Sequence, residues 1–151
     1  MIIFKTVVTN IGSSAEEFLQ ERMIILFGEN APQELSDICY NIKIVPIYHV
    51  IKTGMHLKIN DISFLITAIG NVAEENLKNL GHVTINFDGS PAASLSGTIH
   101  VEKKDIPNIS IGTGISIINW EIFLFYGLPK IQKSSMTTHI MSKLKHQRDQ
   151  R

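Results

Sequence analysis

A single cysteine, Cys39, stands in a chain of 151 residues. That excludes an internal disulfide and any zinc site built on several thiolates, and a lone thiol suits a reducing compartment such as the cytoplasm. Charge of one sign is missing as well: 14 basic residues balance 14 acidic ones, for a formal net charge of zero. The chain as a whole has no field that would draw in nucleic acid or an anionic membrane, so a polyanion site would have to be local. Long apolar runs are also lacking. The longest candidate, Trp120 to Tyr126, is short and contains Glu121, against the roughly 20 apolar residues a membrane-crossing helix needs. The opening Met1 to Phe4 turns polar at Lys5 and Thr9-Asn10 too soon for a secretory leader, and no small-residue cleavage site follows. A soluble, cytoplasmic protein without a membrane span is expected.

What the chain does contain is β-branched sequence broken at short intervals by turns. Ile2 to Thr9 and Met23 to Phe27 read as strands, and Ser13 or Ser14, with Glu16 and Glu17 three residues on, marks a short helix between them. Pro32 opens a helical turn that runs to about Cys39. Tyr40 to Ile51, interrupted by Pro46, predicts two short strands. The polar pair Asn60-Asp61 between Met55–Ile59 and Ile62–Ala68 is the clearest hairpin signal. Asn71 is placed to cap a helix that Gly81 ends. His82 to Phe87, Ser96 to Glu102 and Ile115 to Ile118 complete the strands. Many short strands with only brief helices argue for a mainly β fold, a small closed or nearly closed β-barrel, rather than a parallel βαβ sheet. Residues 1–118 form the expected barrel. Residues 119–151, an apolar patch followed by a Ser/Thr and Lys/Arg-rich stretch, form an extension expected to be mobile or loosely docked.

The histidines are the residues with chemistry to offer. His49 follows Tyr48 in an apolar, strand-like segment, where it is either an ordinary strand residue or a phosphoryl acceptor or general base. His82, directly after the helix-ending Gly81, is placed to bond backbone or a nearby carboxylate. His100 lies between Ile99 and Val101, and alternation puts it on the face opposite those two, toward solvent; His56 reads the same way. No two histidines stand four apart and no His-Glu-x-x-His occurs, so metal catalysis has no sequence support. Gly112-Thr113-Gly114 lacks the third glycine and the helix of a dinucleotide fingerprint, which leaves no cofactor to expect. Ser13 and Ser14 are explained by helix capping, and Cys39 by burial as a small hydrophobe. The basic tail has no aromatic residue in its Lys/Arg stretch, hence no stacking platform for a single strand, and a nucleic-acid partner is not expected.

Thr67-Ala-Ile-Gly70-Asn-Val-Ala-Glu-Glu-Asn-Leu-Lys-Asn-Leu-Gly-His-Val-Thr84, followed by Phe87-Asp88-Gly89 and Gly97-Thr-Ile-His-Val101, resembles the glucitol/sorbitol-specific enzyme IIA family of the bacterial sugar phosphotransferase system (PTS). Ile11-Gly12, Ala31-Pro32 and Asp37 to Tyr40 fit the same pattern, so the resemblance spans about Ile2 to Ile118. It implies a compact β-barrel that takes a phosphoryl group from the histidine of the phosphocarrier protein HPr and passes it to a membrane-bound, sugar-specific partner through a phosphohistidine. Phosphoryl transfer between imidazoles needs in-line placement and donors that offset the phosphoryl charge, with no metal or diffusible cofactor.

In that family the cysteine matching Cys39 is followed by an aromatic residue, one further residue and then the acceptor histidine. The matching run here is Cys39-Tyr40-Asn41-Ile42, and Ile42 through Val50 departs from the family almost throughout, with the spacing from Cys39 to Gly54 kept. An isoleucine accepts no phosphoryl group. His49 and His82 are therefore the candidate catalytic residues, and a barrel that only docks PTS partners, as a decoy or regulator, is the alternative. His49 lies seven residues past the lost position, roughly 23 Å along a straight strand, so it substitutes only if the chain turns back at Pro46. His82 and His100 match family positions and are expected to line one face.

Overall fold

Burial at every second residue builds this fold: in Met23–Gly28, Ile24, Leu26 and Gly28 are buried while Met23, Ile25 and Phe27 are partly exposed. His56–Ile59 and Val83–Asn86 repeat the alternation. A computed structural model describes residues 1–120 of the chain; the expected extension therefore lies, beyond Trp120, outside the described residues. Eight strands are formed: β1 (Ile2–Ile11), β2 (Met23–Gly28), β3 (Tyr40–Ile42), β4 (His56–Ile59), β5 (Ile62–Ile69), β6 (Val83–Asn86), β7 (Thr98–Val101) and β8 (Gly114–Ile118). They close in the order β1-β3-β2-β6-β7-β5-β4-β8. All neighbours are antiparallel except β2 with β3 and β6 with β7.

Closure removes the exposed edges of an open sheet, and a barrel of this strand number is narrow enough for side chains to fill. Phe4, Ile24, Leu26, Tyr40, Ile42, Leu57, Phe64 and Phe87 do so, each at most 1 % exposed. Phe64 and Phe87 meet edge to face, with ring centroids 4.9 Å apart, a geometry that adds to their burial. The expectation of a mainly β, closed barrel with brief helices is met.

The β4–β5 hairpin turns at Asn60-Asp61 as its chemistry predicts. Asn60 adopts a left-handed conformation (φ 49°), and its Oδ1 accepts from the Gly114 N–H at 2.9 Å, fastening the turn to β8. Three local readings differ from the sequence. The Ser13/Ser14 helix is a 3-10 segment, Ala15–Glu21, with no side-chain cap; the Ser14 N–H donates instead to Asp37 O. The Pro32 helix is a single turn, α1 (Gln33–Ser36). Helix α2 (Ala73–Leu80) has Val72, not Asn71, at its cap position and no side-chain capping bond. Its start is set by the loop before β7, where Val72 N–H donates to Ser96 O at 3.0 Å. Gly81 ends it at φ 66°, as read.

The largest departure lies between β3 and β4. Two strands are expected from Tyr40 to Ile51, but only Tyr40–Ile42 forms one. Residues 43–55 cross the outside of the barrel as an irregular strap, because Pro46 has no N–H to give a ladder. The strap is pinned by Thr6 Oγ1 donating to Lys43 O (2.6 Å), by Tyr48 N–H donating to Ile3 O (3.0 Å), and by the Ile51 N–H donating to the Glu74 carboxylate of α2. Among the described residues no helix is long and apolar enough to cross a membrane.

At Gly70, as at Gly12, backbone leaves no room for a side chain: a Cβ on Gly70 would overlap the carbonyl oxygens of Leu95 and Ser96. Both belong to backbone, which cannot swing aside as a side chain can. Gly70→Ala is expected to lower stability by about 3 kcal/mol through overpacking, measured as a fall in the urea midpoint at unchanged slope.

Candidate functional site

Position 42 is the first to locate. Ile42 ends β3, opposite Val8 of β1 and Gly28 of β2, with its side chain in the barrel interior at 0 % exposure. Its neighbour Asn41 faces outward yet is buried: Oδ1 accepts from Ser36 Oγ (2.9 Å) and from Asn10 Nδ2 (3.4 Å), and Nδ2 donates to Gly28 O at 3.2 Å. These bonds tie α1, β1 and the end of β2 to β3. Cys39 is buried as read, and that burial pushes its thiol up to about 11, so it is no nucleophile at neutral pH. Burial also raises the Tyr40 phenol, helped by the charge of Glu16, so the β3 segment Tyr40–Ile42 offers no ionised nucleophile at neutral pH.

His82 sits differently. Gly81 turns the chain out of α2, and the imidazole that follows places Nδ1 3.1 Å from Leu26 O. A carbonyl oxygen only accepts, so Nδ1 carries the proton and Nε2 keeps its lone pair. The Phe27 ring lies against the imidazole, centroids 4.5 Å apart and planes at 32°. A Cβ on Gly81 would come within 2.8 Å of Gly28 N and 3.3 Å of Ile44 Cγ1, so the strap that follows position 42 packs against the turn that carries His82. His82 is half-buried. The nearby C-terminal end of α2 is the negative end of its dipole, and Lys78 in the last turn supplies the opposing charge.

His49 is exposed on the strap and makes no hydrogen bond to a described residue. Among the described residues no partner orients its ring.

His100 corrects the reading from alternation. It does point away from Ile99 and Val101, but it is only 5 % exposed. The segment from Asp88 to Gly97 roofs this part of β7: Asp88 Oδ1 accepts from His100 Nδ1 at 2.8 Å, and Thr67 Oγ1 donates to Ser90 O at 2.7 Å. The Nε2 of His100 is buried without a hydrogen-bond partner among the described residues. Burial opposes ionisation of Asp88. The Ser90 N–H, the bond to His100 and that ring's charge outweigh it, holding the carboxyl below its ordinary value. Nor do His82 and His100 share a site. β6 and β7 pair with Asn86 opposite His100, which leaves His82 four residues, roughly 13 Å, further along. The Asp88–His100 pair was not read from the sequence; the Asp88-Gly89-Ser90-Pro91 turn was its one signal, and pairing required knowing that the loop folds back over β7.

Barrel order and size place the chain in a known class. A solved structure, the crystal structure of a PTS system IIA component from Enterococcus faecalis V583, superposes with a TM-score of 0.68 at 31 % identity, covering 77 % of this chain and 100 % of that one. The family model for the PTS system glucitol/sorbitol-specific IIA component matches residues 3–116. The glucitol/sorbitol-specific EIIA components of Shigella flexneri and Escherichia coli (strain K12) are each 38 % identical over 112 residues, covering 74 % of this chain and 91 % of the relative. The chain belongs to the PTS glucitol/sorbitol-specific IIA component family.

Two outcomes follow from this geometry. Ile42→His places an imidazole in the apolar interior, and the expected loss is about 2 kcal/mol, larger at acid pH because burial disfavours the charged ring; urea denaturation at two pH values measures it. Asp88 acts through its lowered carboxyl: its contribution is present above the unfolded value of about 3.9 and disappears as pH falls through the lower folded value. Thermal unfolding of Asp88→Asn should therefore start from a lower midpoint at pH 6 and fall less than the parent between pH 6 and pH 3.

Proposed function

We propose that the chain works at the IIA step of a glucitol/sorbitol phosphotransferase system in the cytoplasm, taking a phosphoryl group from HPr and handing it to the membrane-bound, sugar-specific component, with His82 as the residue that carries it. The observation behind this reading is the Leu26 carbonyl on His82 Nδ1, which leaves Nε2 as a lone-pair donor of fixed direction. In the first transfer the P–N bond on the carrier's histidine breaks as a P–N bond to His82 Nε2 forms. In the second the same bond breaks toward the acceptor of the next component. As Nε2 acquires phosphorus the ring becomes more positive, and the Nδ1–H bond to Leu26 O strengthens, so the carbonyl stabilises the transfer without moving. Phe27 holds the ring plane, which favours in-line attack by limiting rotation.

A second reading has its own support. Ile42, at the family's acceptor position, is sealed in the core, which favours a barrel that docks HPr or the membrane component and transfers nothing, acting as a decoy or regulator.

Incubation with phosphorylated HPr, followed by intact mass and acid lability, separates the two. The expected result is one acid-labile phosphoryl group on the parent and on His49→Ala, and none on His82→Ala. An unlabelled parent that still binds HPr would replace the transfer reading with the docking one, and label that survives in His82→Ala would move the acceptor elsewhere.

A further inference from the structure

Charge is unevenly distributed around β3. Ser13 to Asp37 carries six carboxylates, all exposed, against the single cation Arg22. Ile38 to Lys58 carries Lys43, Lys52 and Lys58 and no carboxylate. Only the three residues of β3, roughly 10 Å of strand, separate the acidic half from the basic strap. The Asn41 bonds to Ser36 Oγ and Gly28 O hold α1 and the end of β2 against β3, and Ile44 lies within contact distance of the Gly28 and Gly81 positions. Glu34 and Asp37, at α1, therefore stand near Lys43, where the strap begins, while Lys52 lies further along it, beside the contact of Ile51 with Glu74. Each half also exposes large apolar side chains: Leu35 among the acids, and Ile44, Tyr48 (66 %) and Val50 (60 %) on the strap. Glu29, Glu34, Lys43 and Lys52 make no ion pair with a described residue.

We propose that this surface is a homodimer interface, occupied by a second copy of the chain related by a two-fold axis. A two-fold contact uses the same patch on both subunits, so the patch must complement itself. A surface that is acidic on one side and basic on the other, with apolar side chains on both, meets that condition when turned on itself. The partner's strap then lies on Glu34 and Asp37, and its α1 lies on Lys43 and Lys52. A chain of zero net charge does not oppose its own approach through long-range repulsion. The apolar side chains supply the binding free energy, since exposed ion pairs contribute at most about 1 kcal/mol each; the charges set register and orientation.

Sedimentation velocity on the full chain at tens of micromolar tests this. At low salt the expected mass is that of two chains, moving toward one as salt screens the charges. Lys43→Glu/Lys52→Glu and Glu34→Lys/Asp37→Lys are each expected to weaken the dimer by roughly tenfold or more. Mixing these two variants is expected to restore a two-chain species, because the carboxylates introduced at positions 43 and 52 of one then face the lysines introduced at positions 34 and 37 of the other, opposite in sign again. Tyr48→Ser/Val50→Ser leaves the charges in place and is also expected to dissociate the dimer. Matching near-ultraviolet circular dichroism confirms that each variant is folded. A parent of one-chain mass at low salt, an assembly larger than two chains, or a dimer indifferent to both charge reversals would overturn the proposal.

Discussion

The barrel depends on three residues. β1 and β2 do not pair with one another; they are joined only through Tyr40–Ile42, antiparallel to β1 and parallel to β2. A strand this short has few ladder hydrogen bonds, so its hold comes from burial on both faces. Tyr40 and Ile42 fill the interior, while Asn41 satisfies its amide on Ser36, Asn10 and Gly28. A buried amide with every partner in place is specific as well as stabilising, because any shift in register would strand it. The same strand ends at Ile42, whose side chain is wholly enclosed in the core. Isoleucine at that position serves closure, adding apolar volume to the core and offering no nucleophile.

Much of the fold was legible because strands half-buried in a barrel declare themselves by period and by turn chemistry. Asn60-Asp61 gave the hairpin and Gly81 gave the end of α2, each through a local conformational requirement that a single residue type meets. What escaped depended on contacts between distant segments. Asn71 fits the cap position of α2 by local rules, but the loop ending at Ser96 supplies the fixing bond and moves the start of the helix. The stretch from Lys43 to Ile51 has strand composition, yet its hydrogen bonds go singly to Ile3, Thr6 and Glu74 instead of to a ladder, and no local pattern reports that.

His82 and His100 show how far alternation carries. His82 directly precedes β6 and His100 lies within its parallel neighbour β7, which suggests one shared face. Register separates them, and loop coverage gives them opposite environments: one imidazole is partly open with its tautomer set by a carbonyl, the other is closed under Asp88. Periodicity tells which way a side chain points from the sheet, whereas what lies over that face is decided by loops whose paths the pattern does not encode.

The first and last strands of the barrel are neighbours: β1 pairs with β8 from Ile2 to Val7. A ribosome delivers β1 first and β8 last, so for most of synthesis the growing chain has no means of closing, and the edges of β1 and β4 that β8 will cover stand open to other chains. Two of the remaining pairings are parallel and must also wait for their intervening segments. The ring therefore behaves as a clasp that fastens once, at the end, when the residues through Ile118 are in place.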